Sequence, residues 1–585
     1  MTERVLPVGV LALWMFSVAC SSPTEAPGNP GTAGAAGMTS PGGSSSGGTP
    51  SSGGSTAPST GGTASGGTSP AGGSAGAPVS SGGTGTGGSA EGGTAGSAVG
   101  GSTGGSPGGS AGSAPTETMF SRPKGKLPNT TQPATKLGLP RARWADGLVT
   151  PTILNKHHMG QPSVVNGYLV AAGNGEFWIY DIENIAEPEL LSELKTPNHC
   201  DDCGPKAEGE AESHTVSFAK YNGKFYMVTC NGKGIDTWDI TNPAQPAHLQ
   251  QVVLPGIDYG DFTSAVWGLA WQGQYIYVGS TNNGIDIIDA TNPAALMVVK
   301  RIPTSMFGNV SAGPLEAVGN ILVVMTPKGS GGLATLDISD PVNPIVLDSF
   351  TTTESYIGMF YRHYAFLQQP LRVWDVLSNP ANIGSGTTPL ATLTTEKSEY
   401  MSFSDDFMFL GHLRPDAGVS KINITDPRNM SVTSRVWGRL DQGGVNDDQF
   451  TLAIGSVVVM GDDEAPYAGV TVGVHSTTPD TKPPVVDTII PRNGEMGRSV
   501  KSRIGISFSD NIELATANGA SFIVRPMGGQ PLAGKWGSRM GVLNFDPEQD
   551  LQPATTYEVV LPQGGLTDLV GNALAAEFKS TFTTR

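Results

Sequence analysis

Three cysteines and two histidines carry the side chains best suited to metal or redox chemistry in this chain: His199, Cys200, Cys203, His214 and Cys230. Thiolate and imidazole ligands together suit Zn²⁺. In an exported protein the same thiols can instead make one disulfide, Cys230 joined to one member of the Cys200-x-x-Cys203 pair. A single CxxC leaves both readings open. A redox role would want the pair at a helix start, and the surrounding sequence reads as loop among strands. A second set is acidic: Asp447 and Asp448, then Asp462, Asp463 and Glu464. Ca²⁺ takes six to eight oxygens, so this is a candidate calcium site, although the spacing of an EF-hand loop is absent. His157 and His158 read as ligands or as ordinary strand residues. No nucleophile–base–acid set emerges from the spacing of Ser, His and Asp. Two matches to G-x-S-x-G, at Gly72–Gly76 and Gly108–Gly112, lack the strand and helix that the motif requires.

The elements that must position these groups begin late in the chain. Of 585 residues 81 are glycine, and residues 21–117 hold 32 of them with no Phe, Trp or Tyr. Such a stretch cannot offset the entropy of ordering its backbone. It reads as a disordered linker whose root-mean-square span is roughly 50–60 Å. The fold therefore belongs to the residues from 118 onward. A formal net charge of −17 without a basic run makes nucleic acid an unsuitable partner. No run of 18 apolar residues occurs, so no ordinary transmembrane helix is expected.

From 150 to 476 the chain repeats itself. Gly234-Ile235-Asp236-Thr237-Trp238-Asp239-Ile240-Thr241-Asn242-Pro243 is followed by Gly284-Ile285-Asp286-Ile287-Ile288-Asp289-Ala290-Thr291-Asn292-Pro293, then by Gly332 to Pro341 and weaker copies. The marker falls at Asp181, Asp239, Asp289, Asp337, Asp375, Asn423 and Gly473. Each unit of about 48 residues supplies four short strands, and seven units describe a seven-bladed β-propeller. The marker Asp reads as turn chemistry, accepting backbone N–H groups ahead of an Asn/Asp-Pro turn. The last unit lacks a good fourth strand, and residues 119–144 are the expected lender. In a four-stranded blade, strand starts and second-to-third loops share one face. That face collects His158, His214, Trp267, Glu399 and Asp448 as binding candidates, with Cys200, Cys203 and Cys230 at its rim.

The pattern apolar-x-apolar-apolar-Asp followed by Asn/Asp-Pro resembles the LVIVD repeat of bacterial surface proteins. Residues 481–585 change character. Arg503 to Ser509, Ser521 to Val524, Leu551 to Val559 and Ser580 to Thr584 are short alternating strands that suggest a sandwich. Together they resemble the bacterial Ig-like domain of the SbsA type, which implies a spacer or adhesive module without an active site. At the other end, Arg4, the apolar run Val5 to Ala19 and Cys20 read as a signal peptide, and Ser17-Val18-Ala19-Cys20 resembles a bacterial lipobox. That resemblance implies lipidation at Cys20.

The expectation is an all-β chain: a signal peptide (1–20), a disordered linker (21–117), a seven-bladed propeller (118–480) and an Ig-like sandwich (481–585). Its expected role is a lipid-anchored, exported binding or adhesion protein of the outer membrane or cell surface. Its partners would be the membrane and an extracellular protein or polysaccharide. The alternatives are a metal-dependent extracellular hydrolase or lyase at the propeller funnel, and a structural envelope component. Ligand and oligomeric state are not legible.

Overall fold

A computed structural model describes residues 160–585, apart from 174, 183–188, 198–213, 328–330, 353–354, 397–398, 413–417, 437–447, 463–468, 477 and 479. The described residues up to 476 form seven consecutive antiparallel sheets in which neighbouring strands follow chain order. Six have four such strands and the seventh, residues 450–474, has three.

Turn chemistry sets the strand ends. Asn222 and Gly223 both take positive φ, 52° and 70°, the pairing that a tight two-residue hairpin demands. After the third strand of most sheets the marker side chain accepts a backbone N–H. Asp239 accepts from Thr241 at 3.0 Å, Asp289 from Thr291 at 2.8 Å, Asp337 from Ser339 at 2.7 Å and Asn423 from Thr425 at 3.0 Å. A β-bulge falls one to two residues before the marker in five sheets, as between Thr237 and Trp238 or Ile287 and Ile288. A bulge strengthens local twist, so the repeated bulge adds twist to the outer strands of those five sheets.

The sheets pack face to face in sequence. Val170 and Phe177 of the first meet Phe218 and Met227 of the second. Val228 and Ile235 meet Leu269 and Ile276 of the third, whose Ile285 and Ile287 meet Leu322 and Leu336 of the fourth. Val323 meets Phe360, Phe366 meets Met401, and Phe409 meets Val458. Leu452 and Val472 of the seventh sheet share a core with Leu169 and Tyr180 of the first.

Residues 486–584 form an Ig-like pair of sheets. One holds Val486–Ile490, Ile504–Phe508, Val542–Pro547 and Gly534–Arg539; the other holds Glu495–Arg498, Phe578–Thr584, Thr556–Leu561 and Ile523–Pro526. This domain does not hang from the repeats as a spacer. Strand Gly534–Arg539 pairs antiparallel with Val216–Tyr221 of the second sheet, Trp536 opposite Lys220, so one sheet of eight strands runs through both parts. Its core is continuous with that of the first two sheets: Trp536, Phe545 and Phe522 belong to the same cluster as Val170, Phe218 and Trp238. The boundary near residue 481 is a boundary of sequence pattern and not of packing.

A second expectation is corrected. Cys230 is not in a loop. It lies within strand Lys224–Asn231, opposite Ile235, and is 1% exposed in a cluster of aliphatic and aromatic side chains. Strand pairing continues one residue past it to Asn231, which carries the side chain inward rather than to the rim.

Candidate binding face and acidic junction

The Ig-like domain lies on the hairpin turns between first and second strands. Glu513 accepts the backbone N–H groups of Asn166 and Gly167 at 2.9 and 3.1 Å. Lys220 Nζ donates to the carbonyls of Ala515 and Ala517. Asn544 receives Gln272 Nε2 at 2.9 Å and Gly319 N at 2.9 Å and donates to Ala317 O. Tyr361 Oη donates to Ser509 O, His363 Nδ1 meets Asp487 at 2.7 Å, and Ser404 donates to Asp510 at 3.0 Å. These contacts engage the turn side of the first six sheets. The hairpin of Gly534–Arg539 and Val542–Pro547 goes deeper: Arg539 bonds Thr215, Leu315 O and Glu316, at the starts of the inner strands of the second and fourth sheets.

The opposite, strand-start side carries an aromatic column. His214 stacks on Trp267 with ring centroids 3.9 Å apart and planes 19° off parallel. Tyr400 lies 5.9 Å from His214 and 4.1 Å from Phe450. Ala265 and Ile357 complete this buried cluster. Toward the surface the rings continue edge to face: Phe262 stands 6.0 Å from Trp267 and from Tyr259, and Tyr356 stands 6.3 Å from Trp267. Such edge-to-face pairs follow from the ring quadrupole. Phe262 is 45% exposed, while Tyr259 and Tyr356 are half-buried.

The segment carrying Tyr259 and Phe262 is tied down by its own side chains. Asp258 accepts Gly260 N at 3.0 Å. Asp261 accepts Thr263 N and Oγ1 at 2.9 and 2.8 Å. Asn282 N donates to Thr263 O, and Trp267 Nε1 to Phe262 O at 3.1 Å. The Thr263 N–H and hydroxyl hold the Asp261 carboxyl below its ordinary value.

Three carboxylates converge where the two parts meet. Asp405 comes from the hairpin turn of the sixth sheet, Asp480 from the connector and Asp510 from the Ig-like domain, with oxygens all within 4.8 Å. Burial first, then the charges of Asp568 and Asp405, pushes Asp510 well above the usual carboxylate range. Burial likewise pushes Asp405 up to about 6 and Asp568 up to about 7. Lys482 lies 3.5 Å from Asp405 and 2.7 Å from Asp406 and offsets part of the charge. Chemically this junction can share protons or hold a hard, oxygen-seeking cation.

One more polar set recurs three residues before the marker. Asp236 meets Asn231 at 2.7 Å and His248 at 2.8 Å. Asp286 takes Arg301 through Nε and Nη2, both at 2.8 Å, and Ser280. In the sixth sheet Ser420 lies 2.8 Å from His412 Nε2 and donates to Glu396 at 2.6 Å. Glu396 also approaches that same imidazole nitrogen, at 3.1 Å. A Ser–His–acid relay needs hydroxyl and carboxylate on opposite ring nitrogens, so this trio does not form one. Its recurrence in register marks it as scaffold.

Of the residues singled out from sequence, His214, Trp267, Glu399 and Asp448 are described, and each is at most 3% exposed. His214 and Trp267 are in contact, and Glu399 directly precedes Tyr400 of the same cluster. They underlie the face instead of lining its surface. Cys20, His157, His158, His199, Cys200, Cys203, Asp447, Asp463 and Glu464 lie outside the described residues, and Asp462 closes strand Val457–Asp462. The zinc, disulfide and calcium readings at those positions rest there. Sequence reasoning missed Tyr259, Phe262 and Tyr356, which sit in connectors between units. The signal was Asp258-Tyr259-Gly260-Asp261-Phe262-Thr263, turn residues alternating with rings inside a connector. It also missed the Asp405–Asp480–Asp510 junction, which three distant segments assemble.

Residues 480–584 match the bacterial Ig-like domain, and residues 265–304 and 328–352 match the LVIVD repeat. No curated relative matches the chain. Among solved structures, the computationally designed Ika8 protein is 16% identical, with a TM-score of 0.36, covering 56% of this chain and 99% of its own. U3-55K is 12% identical, with a TM-score of 0.40, covering 55% of this chain and 96% of its own.

Proposed function

We propose that this chain is an exported, lipid-anchored binding or adhesion protein that presents one face of a seven-bladed propeller at the outer membrane or cell surface. The propeller reading is supported by the seven sheets and by the core that joins the seventh sheet to the first. The C-terminal domain is of the SbsA type in this reading, and Cys20, after the apolar run Val5 to Ala19, carries the lipid. Two acyl signals or more would anchor it stably, and the glycine-rich segment 21–117 would tether it.

One observation carries the binding role: the Ig-like domain occupies the turn side, while the aromatic column approaches the surface on the other side, at Phe262. A ring that is covered on one side has one side left for a partner, and Phe262 is 45% exposed there. Against an enzyme at the funnel stands the hairpin carrying Arg539, which reaches Glu316 and Thr215 at the starts of the inner strands. The test is co-sedimentation of the purified protein with cell envelopes. Saturable binding that falls at least tenfold in Phe262→Ala supports the reading. Absence of saturable binding, or binding that Phe262→Ala leaves unchanged, contradicts it.

A further inference from the structure

Resting on that reading of the strand-start face, we propose that its ligand is a neutral glycan, bound by stacking of sugar rings on Phe262, Tyr259 and Tyr356 with hydroxyls bonded to Asp258 and Asp261.

Size argues first. An aromatic side chain carries about 150–250 Å² of surface, so three partly covered rings present on the order of 200–300 Å² of it. A stable protein partner would bury roughly 800 Å² on each side. The rings alone match the area of one or two sugar rings. Chemistry argues second. The apolar C–H face of a pyranose packs on an aromatic ring, while its equatorial hydroxyls point outward and need acceptors. Asp258 and Asp261 are both exposed and flank Phe262 in the same loop. Asp261 is held ionised by the Thr263 N–H and hydroxyl, which leaves its remaining oxygen as an acceptor. Charge argues third. Two carboxylates beside the rings, on a chain of net charge −17, repel polyanionic glycans and leave neutral ones.

Preorganisation completes the case. The loop is fixed by the Asp258 and Asp261 turns and by Trp267 Nε1 on the Phe262 carbonyl. Phe262 and Tyr259 therefore meet a ligand without first losing loop entropy. The buried rings His214, Trp267, Tyr400 and Phe450 support the platform from below.

The experiment has two arms. In the first, the full chain is titrated calorimetrically with cellohexaose, maltohexaose and mannohexaose. At least one hexamer is expected to bind, at least tenfold more weakly to Phe262→Ala and within threefold of wild type to Phe262→Trp. In the second, co-sedimentation is repeated with envelopes treated with periodate or with protease. Periodate, which cleaves vicinal diols, is expected to abolish binding, and protease to leave it. If no hexamer binds and protease abolishes envelope binding, the ligand is a protein: the glycan assignment falls and the binding face stands. If a hexamer binds equally well to Phe262→Ala, the rings are not the site. If neither hexamers nor untreated envelopes bind, both proposals fall.

Discussion

Arg539 of the Ig-like domain and Glu316 of the fourth sheet form an ion pair at 2.8 Å, their side chains only 6% and 2% exposed. Arg539 adds the Leu315 carbonyl and the Thr215 hydroxyl. Glu316 is nevertheless pushed up to about 7, because burial outweighs the guanidinium's attraction. The pair joins the C-terminal domain to the inner strands of the repeats.

Breaking this pair from one side leaves Glu316 buried without its cation, and the Thr215 hydroxyl and Leu315 carbonyl without their donor. Arg539→Ala is expected to cost about 3–5 kcal/mol, with the double variant Arg539→Met/Glu316→Gln recovering most of it. Because the core is shared, both parts should melt together. Scanning calorimetry checks this: one lowered transition is expected, and an unshifted Ig-like transition alongside a second one would contradict it.

The acidic junction predicts a pH dependence of definite sign. Asp405, Asp510 and Asp568 all have raised values in the folded protein. Folding therefore favours their protonated forms, and the stability this confers is full below the unfolded value of 3.8 and lost as pH rises through about 6 to 7. Asp510→Asn removes one of the mutually repelling charges and keeps an acceptor for Ser404. It is expected to match wild type at pH 4 and to melt several degrees higher at pH 8. Thermal melts across that range read the difference, and a variant destabilised at pH 8 would refute the charge argument.

The marker carboxylates should behave alike. Asp239→Ala and Asp289→Ala each remove an acceptor for one backbone N–H, which is worth about 0.5–1.5 kcal/mol. Lys224 at 2.8 Å from Asp239 adds little, being half-exposed. Urea unfolding should show similar small losses at both positions and unchanged envelope binding. A selective loss of binding at one of them would move that marker from scaffold to site.

The anchor is separately testable. Cys20→Ser should move the protein from the membrane pellet to the soluble fraction of the cells that export it. Retention in the pellet would overturn the lipobox reading.

Much of the fold was legible because its rules are local. Met297–Ile302 was readable as a strand to the residue, since its neighbours Asn292-Pro293 fix where the turn ends. The marker Asp was readable as turn chemistry because its partner lies two residues on. What escaped depends on contacts between distant segments. Trp536 opposite Lys220 joins strands that no periodicity connects, and so the Ig-like domain looked like an appendage. His214 and Trp267 share a face because both stand at strand starts, and they do meet. Their burial was not readable, because a strand start looks the same whether a ring or solvent lies above it. Phe262 is not legible for the converse reason: it sits in a connector, outside the repeating pattern.

The most direct test of the account is hydroxyl-radical footprinting of the protein with and without cell envelopes. Oxidation of Phe262, Tyr259 and Tyr356 is predicted to fall on binding, while Met496 and Met527 of the Ig-like domain, 77% and 57% exposed, stay as reactive as in the free protein. Protection of Met496 and Met527 with Phe262 unchanged would place the partner on the Ig-like domain and contradict the account.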